Sequence, residues 1–463
     1  MKPRLPDRDS VTTINDDGSR NFLHPADVHG VFTLLRRVSG TLILALFIAL
    51  PWIPIGGHPA VFLDVANRRF HLFGLTAAAQ DLWLVFFLIT GLGFGLFFIT
   101  SLLGRIWCGW ACPQTLFMEH VFRRIERFIE GDAAAQRLLD RESWSAHKWF
   151  KRGLKHALFI LLSLAVAHIA LSYFVSLPGL WAIMHQSPLE NFGLFALVLA
   201  LAGLFYFDFA WFREQFCIIL CPYGRLQSAL IDNHTLVIGY DEKRGEPRGK
   251  VDTTTGDCID CRRCVQVCPT GIDIRQGLQM ECIGCSNCVD ACDEIMDKLG
   301  RPHGLVRYDS LNGLAGKKTQ WLRPRTLMYS VLLILGASVA TYASTFFKPA
   351  SLTVLRMTGA PYYMDGTMIR NQFMVRVANK AHQPLRLYVT AASDPAGLHQ
   401  TGFDGVVEIP AEGEIQQPLV LQFPRASFTG KTSVTVRLTS EDGRVTIENT
   451  VPFLGPDGPP PAP

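Results

Sequence analysis

Residues 81 to 103 read DLWLVFFLITGLGFGLFFITSLL, and Asp81 is the single charged residue among them. A helix crosses about 30 Å of hydrocarbon with roughly 20 apolar residues, so this stretch predicts a membrane span. Four further stretches have the same apolar character, at residues 38–57, 156–177, 192–212 and 326–347. The sequence therefore predicts a membrane protein with five spanning helices and excludes a soluble monomer.

The distribution of Lys and Arg predicts the orientation of these spans. Connection 104–155 carries ten Lys and Arg residues, whereas 58–80 carries two and 178–190 carries none. Because flanking positive charge is retained on the cytoplasmic side, the N-terminus is predicted to be cytoplasmic, and the segment after the fifth span is predicted to lie outside, in the periplasm of a two-membrane bacterium. The net charge of +4 is too small to indicate a nucleic-acid partner, so the bilayer is the expected surface.

These spans divide the chain into segments of different composition. In order they are a cytoplasmic N-terminal segment (1–37), a four-helix membrane domain (38–212, whose second cysteine motif extends to 222), a cytoplasmic domain (213–325), a fifth span (326–347), a periplasmic domain (351–455) and a disordered tail (456–463).

The predicted periplasmic domain has the sequence pattern of an all-β sandwich. Apolar and polar residues alternate in short runs between Gly, Pro, Asn and Asp clusters, at 373–379, 385–390, 419–423 and 433–439. About seven such strands predict an immunoglobulin-like fold, without the disulfide and core Trp of antibody domains. A docking or structural role is expected for it.

Eight of the twelve cysteines form two consecutive C-x2-C-x2-C-x3-C runs within 258–292. In paired runs of this spacing, three thiolates bind one cubane and the fourth reaches the other, which predicts a ferredoxin-like α+β insert with two [4Fe-4S] clusters. The predicted ligands are Cys258, Cys261, Cys264 and Cys292 for the first cluster, and Cys282, Cys285, Cys288 and Cys268 for the second. Two four-cysteine zinc sites are the alternative, although those usually come as separated C-x2-C pairs.

The remaining four cysteines form two C-x3-C-P motifs, WCGWACP at 107–113 and FCIILCP at 216–222. A separation of four residues predicts that both sulfurs of a motif lie on one helix face. Since each motif follows an even-numbered span, the two are expected to converge in a duplicated hairpin. The predicted metal site consists of Cys108, Cys112, Cys217 and Cys221. Thiolates select copper(I), zinc or iron–sulfur clusters, and the alternative is that these cysteines only pack as small apolar residues.

Two ionisable residues fall within predicted spans, His168 in the third and Asp208 in the fourth. Such residues are costly in a bilayer and therefore functional candidates. His168 could bind a metal or a quinone, or only a helix carbonyl, and Asp208 lies close enough to the inner interface to be solvated. The basic run Arg123, Arg124 and Arg127 is expected to lie against anionic headgroups.

The combination of WCGWACPQT, FCIILCPYGRLQ, two cluster runs, a last anchor and an exported sandwich resembles the cytochrome c oxidase accessory family called CcoG, FixG or RdxA. The resemblance covers essentially the whole chain. It implies a bacterial inner-membrane cupric reductase that serves assembly of the cbb3-type haem–copper oxidase. It also implies that the paired membrane cysteines handle copper as substrate or bound ion, with oxidase assembly factors or a copper chaperone as partners.

The expected reaction is the reduction of copper(II) to copper(I) at the four membrane cysteines, with electrons from an unidentified cytoplasmic or quinol donor. One alternative is a quinol-linked electron-transfer subunit, because NapH-type proteins share the C-x3-C-P motifs and the paired cluster runs. Another is a non-enzymatic assembly scaffold or sensor. No nucleotide site is expected, since the glycines of 91–95 lie inside a predicted span.

Overall fold

The computed structural model describes residues 13–14, 20–78, 81–249, 256–345, 348–394, 396–428, 430 and 432–456. The predicted disordered tail falls almost entirely outside these residues. The chain divides into two compact units, one formed by Met1–Ile53 with Val85–Val339 and the other by Pro54–Leu84 with Ala340–Pro463.

The predicted fold class is confirmed. Within the described residues, five helices are long and apolar enough to cross a membrane: Val31–Trp52, Val85–Leu103, Ala146–Ser172, Phe192–Phe212 and Pro324–Tyr342.

Within the described residues, several short connecting helices accompany these five. In chain order the α-helices are α1 (Val31–Ala49), α2 (Leu82–Leu103), α3 (Ile106–Trp110), α4 (Pro113–Phe117), α5 (Arg123–Glu130), α6 (Ala133–Arg141), α7 (Ala146–Ser172), α8 (Leu177–Met184), α9 (Phe192–Phe207), α10 (Pro222–Leu230), α11 (Glu242–Gly245), α12 (Arg263–Gln266), α13 (Asn287–Lys298), α14 (Leu311–Leu314) and α15 (Pro324–Ser344). In the part of the chain that the structure describes, π-helical turns cover Met118–Phe122, Asp208–Phe212 and Phe216–Leu220, and 3-10 turns cover Leu50–Trp52, Ile274–Gln276 and Arg425–Ser427.

The strands are β1 (Pro54–Ile55), β2 (His58–Pro59), β3 (Val61–Asp64), β4 (Arg69–Leu72), β5 (Leu75–Ala78), β6 (Leu236–Tyr240), β7 (Val306–Ser310), β8 (Ala350–Arg356), β9 (Tyr363–Asp365), β10 (Met368–Asn379), β11 (Leu385–Asp394), β12 (His399–Thr401), β13 (Val407–Ile409), β14 (Glu414–Pro424), β15 (Thr432–Ser440) and β16 (Thr446–Phe453).

Asp290 of α13 fixes the start of the first membrane helix. Its carboxylate accepts hydrogen bonds from the backbone N–H groups of Phe32 (3.2 Å) and Thr33 (2.6 Å), and from the Thr33 hydroxyl (2.6 Å). A carboxylate at a helix N-terminus satisfies free N–H groups and complements the helix dipole. The helix therefore begins at Val31 and not at residue 38, because hydropathy does not register a cap supplied from a distant part of the chain.

An aromatic core holds the connection between α2 and α7 against the spans. Phe122 is fully buried, stacks on Phe209 with ring centroids 4.3 Å apart, and meets Phe159 edge-on at 4.9 Å. Offset and edge-on aromatic pairs add about 0.5 to 1.5 kcal/mol beyond the area they bury. This packing fixes the polypeptide that follows the first C-x3-C-P motif.

The cluster-binding region is built on a short antiparallel pair, β6 with β7, against α12 and α13. Its core contains Ile238, Ile274, Val289 and Leu305, all almost completely buried, together with several of the cysteines. The small sheet and the helix positions make this an α+β region.

The second unit consists of a β-sandwich together with the connection that precedes α2. One sheet has the strand order β12–β14–β10–β8, with β9 beside β10, and the other has the order β13–β11–β15–β16. Alternate residues such as Phe373, Val375 and Val377 point into the core, as the alternating sequence predicts. The described residues contain nine strands in this sandwich, more than the seven expected, because short pairings such as β9 and β12 carry little sequence signal.

Candidate iron–sulfur and thiol site

One cavity is lined by the four cysteines predicted for the first cluster, Cys258, Cys261, Cys264 and Cys292. A second cavity is lined by Cys268, Cys282, Cys285 and Cys288, the set predicted for the second cluster. Cys264 contributes to the walls of both cavities. The fourth cysteine of each run thus lies with the three cysteines of the other run.

Left-handed residues between the cysteines shape both loops. Asp260 (φ 53°) and Arg262 (φ 58°) lie in the first run, and Gly284 (φ 68°) and Ser286 (φ 65°) occupy the corresponding positions of the second. This conformation disfavours residues with a Cβ, and it persists where the surrounding structure imposes it. It turns the chain sharply between the first and second and between the second and third cysteines of each run, whose thiols line one cavity.

The buried thiols fit an iron–sulfur group. Burial raises the pKa of the Cys264, Cys282 and Cys292 thiols to about 12 in each case. Thiolates in such surroundings need a bound cationic centre, and a metal deprotonates the thiols that coordinate it. The two predicted sets of four free thiols, one at each cavity, match the donor set of two [4Fe-4S] clusters.

The two C-x3-C-P motifs adopt the same local backbone. The N–H of Cys112 donates to the carbonyl of Trp107 (2.9 Å), and that of Cys221 donates to the carbonyl of Phe216 (2.8 Å), five residues back in both cases. Cys112 and Cys221 are the extended N-cap residues of α4 and α10.

This arrangement differs from the predicted single helix face. In each motif a new α-helix starts at the proline, Pro113 or Pro222, directly after the second cysteine. Proline is favoured at the first helical position, where its missing N–H would have no partner in any case. The second thiol of each motif therefore lies at a break in the helix.

The structure brings together the thiols of Cys108, Cys112, Cys217 and Cys221, close enough for their charges to affect one another. These four thiols are here called the thiol pocket. Burial raises the pKa of Cys217, and the charges of the other three thiols raise it further. Burial likewise raises the pKa of Cys108 to about 11, with contributions from Cys112 and Cys221. Within the described residues, no three of these four sulfurs lie within 4.8 Å of one another. The pocket is therefore more open than a preformed site for a single ion.

Polar side chains border the thiol pocket on two sides. The Cys108 thiol donates to the side-chain carbonyl of the fully buried Gln227 (3.3 Å). Asp208 lies close enough to Cys217 for its charge to raise the pKa of that thiol. Asp208 is buried, so the structure gives this residue a place beside the pocket and not in solvent.

The loop of the second cluster cavity packs directly on the first C-x3-C-P motif. A Cβ built on Gly109 would lie 2.7 Å from the Ile283 carbonyl oxygen and 2.9 Å from Cys285 N and Cα. A Cβ built on Gly284 would lie 3.0 Å from the Arg105 carbonyl oxygen. Only glycine allows backbones to approach this closely. The thiol pocket and the second cluster cavity are therefore neighbours.

Tyr308 of β7 reinforces this contact. Its hydroxyl donates to the Gly284 carbonyl (2.6 Å) and accepts from Trp110 Nε1 (3.3 Å) and from the Ser286 hydroxyl (2.7 Å). Burial raises the pKa of Tyr308 to about 12, so its hydroxyl remains a donor at neutral pH. The tyrosine ties α3 to the cluster loop.

The prediction for Arg123 needs correction, whereas the metal-ligand role of His168 stays a prediction. His168 lies in the last turns of α7, and its Nδ1 bonds the Leu164 carbonyl of the same helix (2.8 Å), whereas Lys155, nearer the start of α7, pairs with Glu126. This is the helix-carbonyl contact named among the alternatives, and it does not involve Nε2 of the ring. Arg123 does not face headgroups, because it is buried and pairs with Glu119 and Glu214.

Sequence reasoning missed Gly109, Gln227, Tyr308 and Asp290. Gly109 and Gln227 lie in the quoted stretches WCGWACPQT and FCIILCPYGRLQ. Their spacing from the cysteines was the available signal. Tyr308 and Asp290 act across long sequence separations, and no local pattern reveals such contacts.

The spanning helices, the two cavities lined by cysteines and the sandwich define a polytopic membrane iron–sulfur protein. Family models agree with this class: residues 212–311 match "4Fe-4S dicluster domain", residues 82–130 match "4Fe-4S binding domain", and residues 340–456 match "IG-like fold at C-terminal of FixG, putative oxidoreductase".

The sequence identity to individual relatives shows which family the chain belongs to. "Protein RdxA" of Cereibacter sphaeroides is 36% identical over 454 residues, covering 92% of this chain and 94% of that protein. "Nitrogen fixation protein FixG" of Rhizobium meliloti is 39% identical over 308 residues, covering 64% of this chain and 58% of that protein. The chain belongs to the FixG/RdxA family of membrane iron–sulfur proteins.

A crystal structure of a FixG-related protein from Vibrio parahaemolyticus is also similar to part of the chain. It is 17% identical and covers 23% of this chain and 97% of that one, with a TM-score of 0.22.

Proposed function

We propose that this protein reduces copper(II) to copper(I) at the thiol pocket and thereby serves assembly of a cbb3-type haem–copper oxidase. The observation that carries the proposal is the close approach of Gly109 to Cys285, which makes the thiol pocket a neighbour of the second cluster cavity. Thiolates favour copper(I) over copper(II), so a pocket of four thiols suits the product of the reduction.

The residues of the chain have separate tasks in this reaction. The predicted cysteine sets would hold two [4Fe-4S] clusters, which supply one-electron transfer when bound. Each copper(II) takes up one electron and becomes copper(I). The thiols lose protons as they bind copper, and Asp208 lies beside Cys217, where a carboxylate can accept one of them.

The test uses purified full-length protein, reduced anaerobically and mixed with copper(II) in the presence of a copper(I)-specific chromogenic chelator. The Cys108→Ser/Cys217→Ser variant should keep its iron content and lose most copper reduction. A Cys261→Ser variant should lose iron from one cluster and serves as the contrast. Unchanged reduction by the double variant would refute the proposal and favour a non-enzymatic scaffold or sensor.

A second candidate function, quinol-linked electron transfer, is favoured by a cavity of about 220 Å³ next to the second cluster site. Leu103, Leu236, Met280 and Cys282 are among its lining residues. A mostly apolar cavity with a few polar groups suits a small amphiphilic ligand. Such a donor would also supply the copper reaction, so the two functions are compatible.

A quinol assay separates these possibilities. A short-chain quinol should bleach the iron–sulfur absorbance of the oxidised protein, and Leu236→Trp should slow the bleaching because the indole fills the cavity. Bleaching without any subsequent copper reduction would favour the quinol relay alone. Equal rates in both proteins would exclude this cavity as the donor site.

The proposal includes a location and a recipient. We place the clusters in the cytoplasm and the sandwich in the periplasm of a bacterial inner membrane, on the basis of the Lys and Arg content of 104–155. A reporter that is active only in the periplasm, fused after residue 456, should be active. Copper(I) would pass to a copper chaperone or to an oxidase assembly factor.

A further inference from the structure

The second unit gathers His58, His71 and Glu412, here called the imidazole set. One ring nitrogen from each histidine and one carboxylate oxygen lie within 4.8 Å of one another. The histidines come from β2 and β4, in the connection that precedes α2, and Glu412 precedes β14 of the sandwich. His71 is 2% exposed, so this set is built into the fold and is not a chance surface grouping.

The hydrogen bonds around His71 leave one ring nitrogen available. The Thr76 hydroxyl donates to Glu412 Oε1 (3.3 Å) and lies 2.9 Å from His71 Nδ1. A hydroxyl has one proton, so a threonine that donates to the carboxylate must accept from His71 Nδ1–H. The lone pair of His71 is then on Nε2, where it can coordinate a cation. Outer partners of this kind orient the histidine ligands of metal sites.

A third histidine faces the same carboxylate. His382 Nε2 lies 2.9 Å from the Gly74 carbonyl oxygen, which can only accept, so the proton of a neutral ring is on Nε2. His382 Nδ1 then presents a lone pair to Glu412 Oε1 at 2.8 Å. Two acceptors at this distance require a cation or a proton between them.

The rings of the set are held in place by packing. His58 and His71 stack with centroids 3.9 Å apart, and Phe62 lies parallel to both. The backbone carbonyl of Glu412 accepts from the Arg69 guanidinium. Locked rings around a carboxylate are what a preorganised metal site requires.

We propose that His58, His71 and Glu412, with His382 beside them, bind a divalent transition-metal ion. Imidazole and carboxylate ligands without a thiol suit copper(II), zinc(II) or nickel(II), and the Irving–Williams order places copper(II) first among these. The ion would tie the connection before α2 to the sandwich. This site stands whether or not the thiol pocket reduces copper.

The test first removes the four thiols of the thiol pocket as competing ligands. Full-length protein carrying Cys→Ser at all four positions of the thiol pocket is stripped with a chelator and titrated with copper(II) sulfate, and separately with zinc(II) sulfate. Copper(II) should bind at about one equivalent and give an electron paramagnetic resonance spectrum with hyperfine coupling to imidazole nitrogen. His71→Ala and the isosteric Glu412→Gln should each weaken binding at least tenfold.

His399→Ala is the matched control, since His399 is an exposed histidine of the same sandwich outside the set. It should bind as the parent does. Thermal unfolding of each metal-free variant shows whether the sandwich has folded, and Glu412→Gln provides the answer if His71→Ala has not. Equal affinity and the same nitrogen coupling in parent and Glu412→Gln, or no stoichiometric binding by the parent, would overturn the proposal.

Discussion

Gly109 lies against Cys285 so closely that a Cβ on the glycine would be 2.9 Å from the cysteine Cα. Gly109 lies between the two cysteines of the first C-x3-C-P motif in the sequence, and Cys285 lines the second cluster cavity. The contact joins backbone to backbone, without an intervening side chain that could move. It gives the thiol pocket and the cluster loop a fixed relative position.

We expect Gly109→Ala to disturb this contact. The neighbouring atoms are backbone, so they cannot rotate away, and overpacking of this kind costs about 1 to 3 kcal/mol. The rate of copper(II) reduction by the pre-reduced protein should fall severalfold while iron content stays near that of the parent. Gly203→Ala is the control, because a Cβ built there meets nothing within 4 Å. Matching rates in the two variants would show that the contact is not needed.

The fourth cysteine of each run lines the cavity of the other run, and this arrangement leads to a second prediction. Cys268→Ser should remove the second cluster and about half of the iron, because Cys268 lines the cavity of Cys282, Cys285 and Cys288. Alkylation of the native variant followed by peptide mass spectrometry should label those three thiols, while the other set stays protected.

Cys292→Ser is the reciprocal control. It should free Cys258, Cys261 and Cys264 and leave the second cluster in place. If Cys268→Ser instead exposed the thiols of its own run, each run would bind its own cluster, and the pairing given by the two cavities would be wrong.

The sequence predicts those features that local periodicity and spacing control. Alternation at 373–379 gives the inward face of β10, and the cysteine spacing gives the same two sets of four that line the cavities. Both signals are contained in a few consecutive residues. Distant contacts do not alter them.

The remainder depends on contacts between distant residues. The start of α1 is fixed by Asp290, and the imidazole set joins His58 to Glu412 across most of the chain. The helix break in each C-x3-C-P motif has a local cause, the proline. The spacing of the cysteines predicts one helix face for both sulfurs, whereas the proline begins a new helix directly after the second cysteine.

The cap on α1 gives a third prediction. Asp290→Ala should lower the unfolding temperature of the detergent-solubilised protein, because loss of an N-cap costs about 0.5 to 2 kcal/mol. Asp290→Asn, which keeps an acceptor oxygen, should lose less. Asp297→Ala is the control, because it removes an exposed carboxylate on α13, the helix that carries Asp290, and it should have little effect. Equal unfolding temperatures for Asp290→Ala and Asp297→Ala would show that the cap contributes nothing.

Glu126 gives a prediction of acid sensitivity. It is almost completely buried, lies 3.4 Å from Lys155 Nζ and also pairs with the Arg213 guanidinium. Burial alone would raise its pKa, but these cations outweigh burial and lower the pKa of Glu126 to about 2, from 4.5. The carboxylate therefore stabilises the fold fully above about pH 4.5, and this contribution is lost as the pH falls towards 2.

Glu126→Gln should therefore be destabilised most at neutral pH, because it leaves the buried Arg213 guanidinium without its carboxylate partner and leaves Lys155 with Glu130 alone. Breaking a buried ion pair costs about 3 to 5 kcal/mol. The difference in unfolding temperature between parent and variant should be large at pH 7 and shrink between pH 4.5 and pH 3. Loss of clusters in acid affects both proteins and cancels in this difference. Glu142→Gln, at an exposed position, should follow the parent throughout. A difference that stayed constant from pH 7 to pH 3 would mean that the charge of Glu126 does not stabilise the fold.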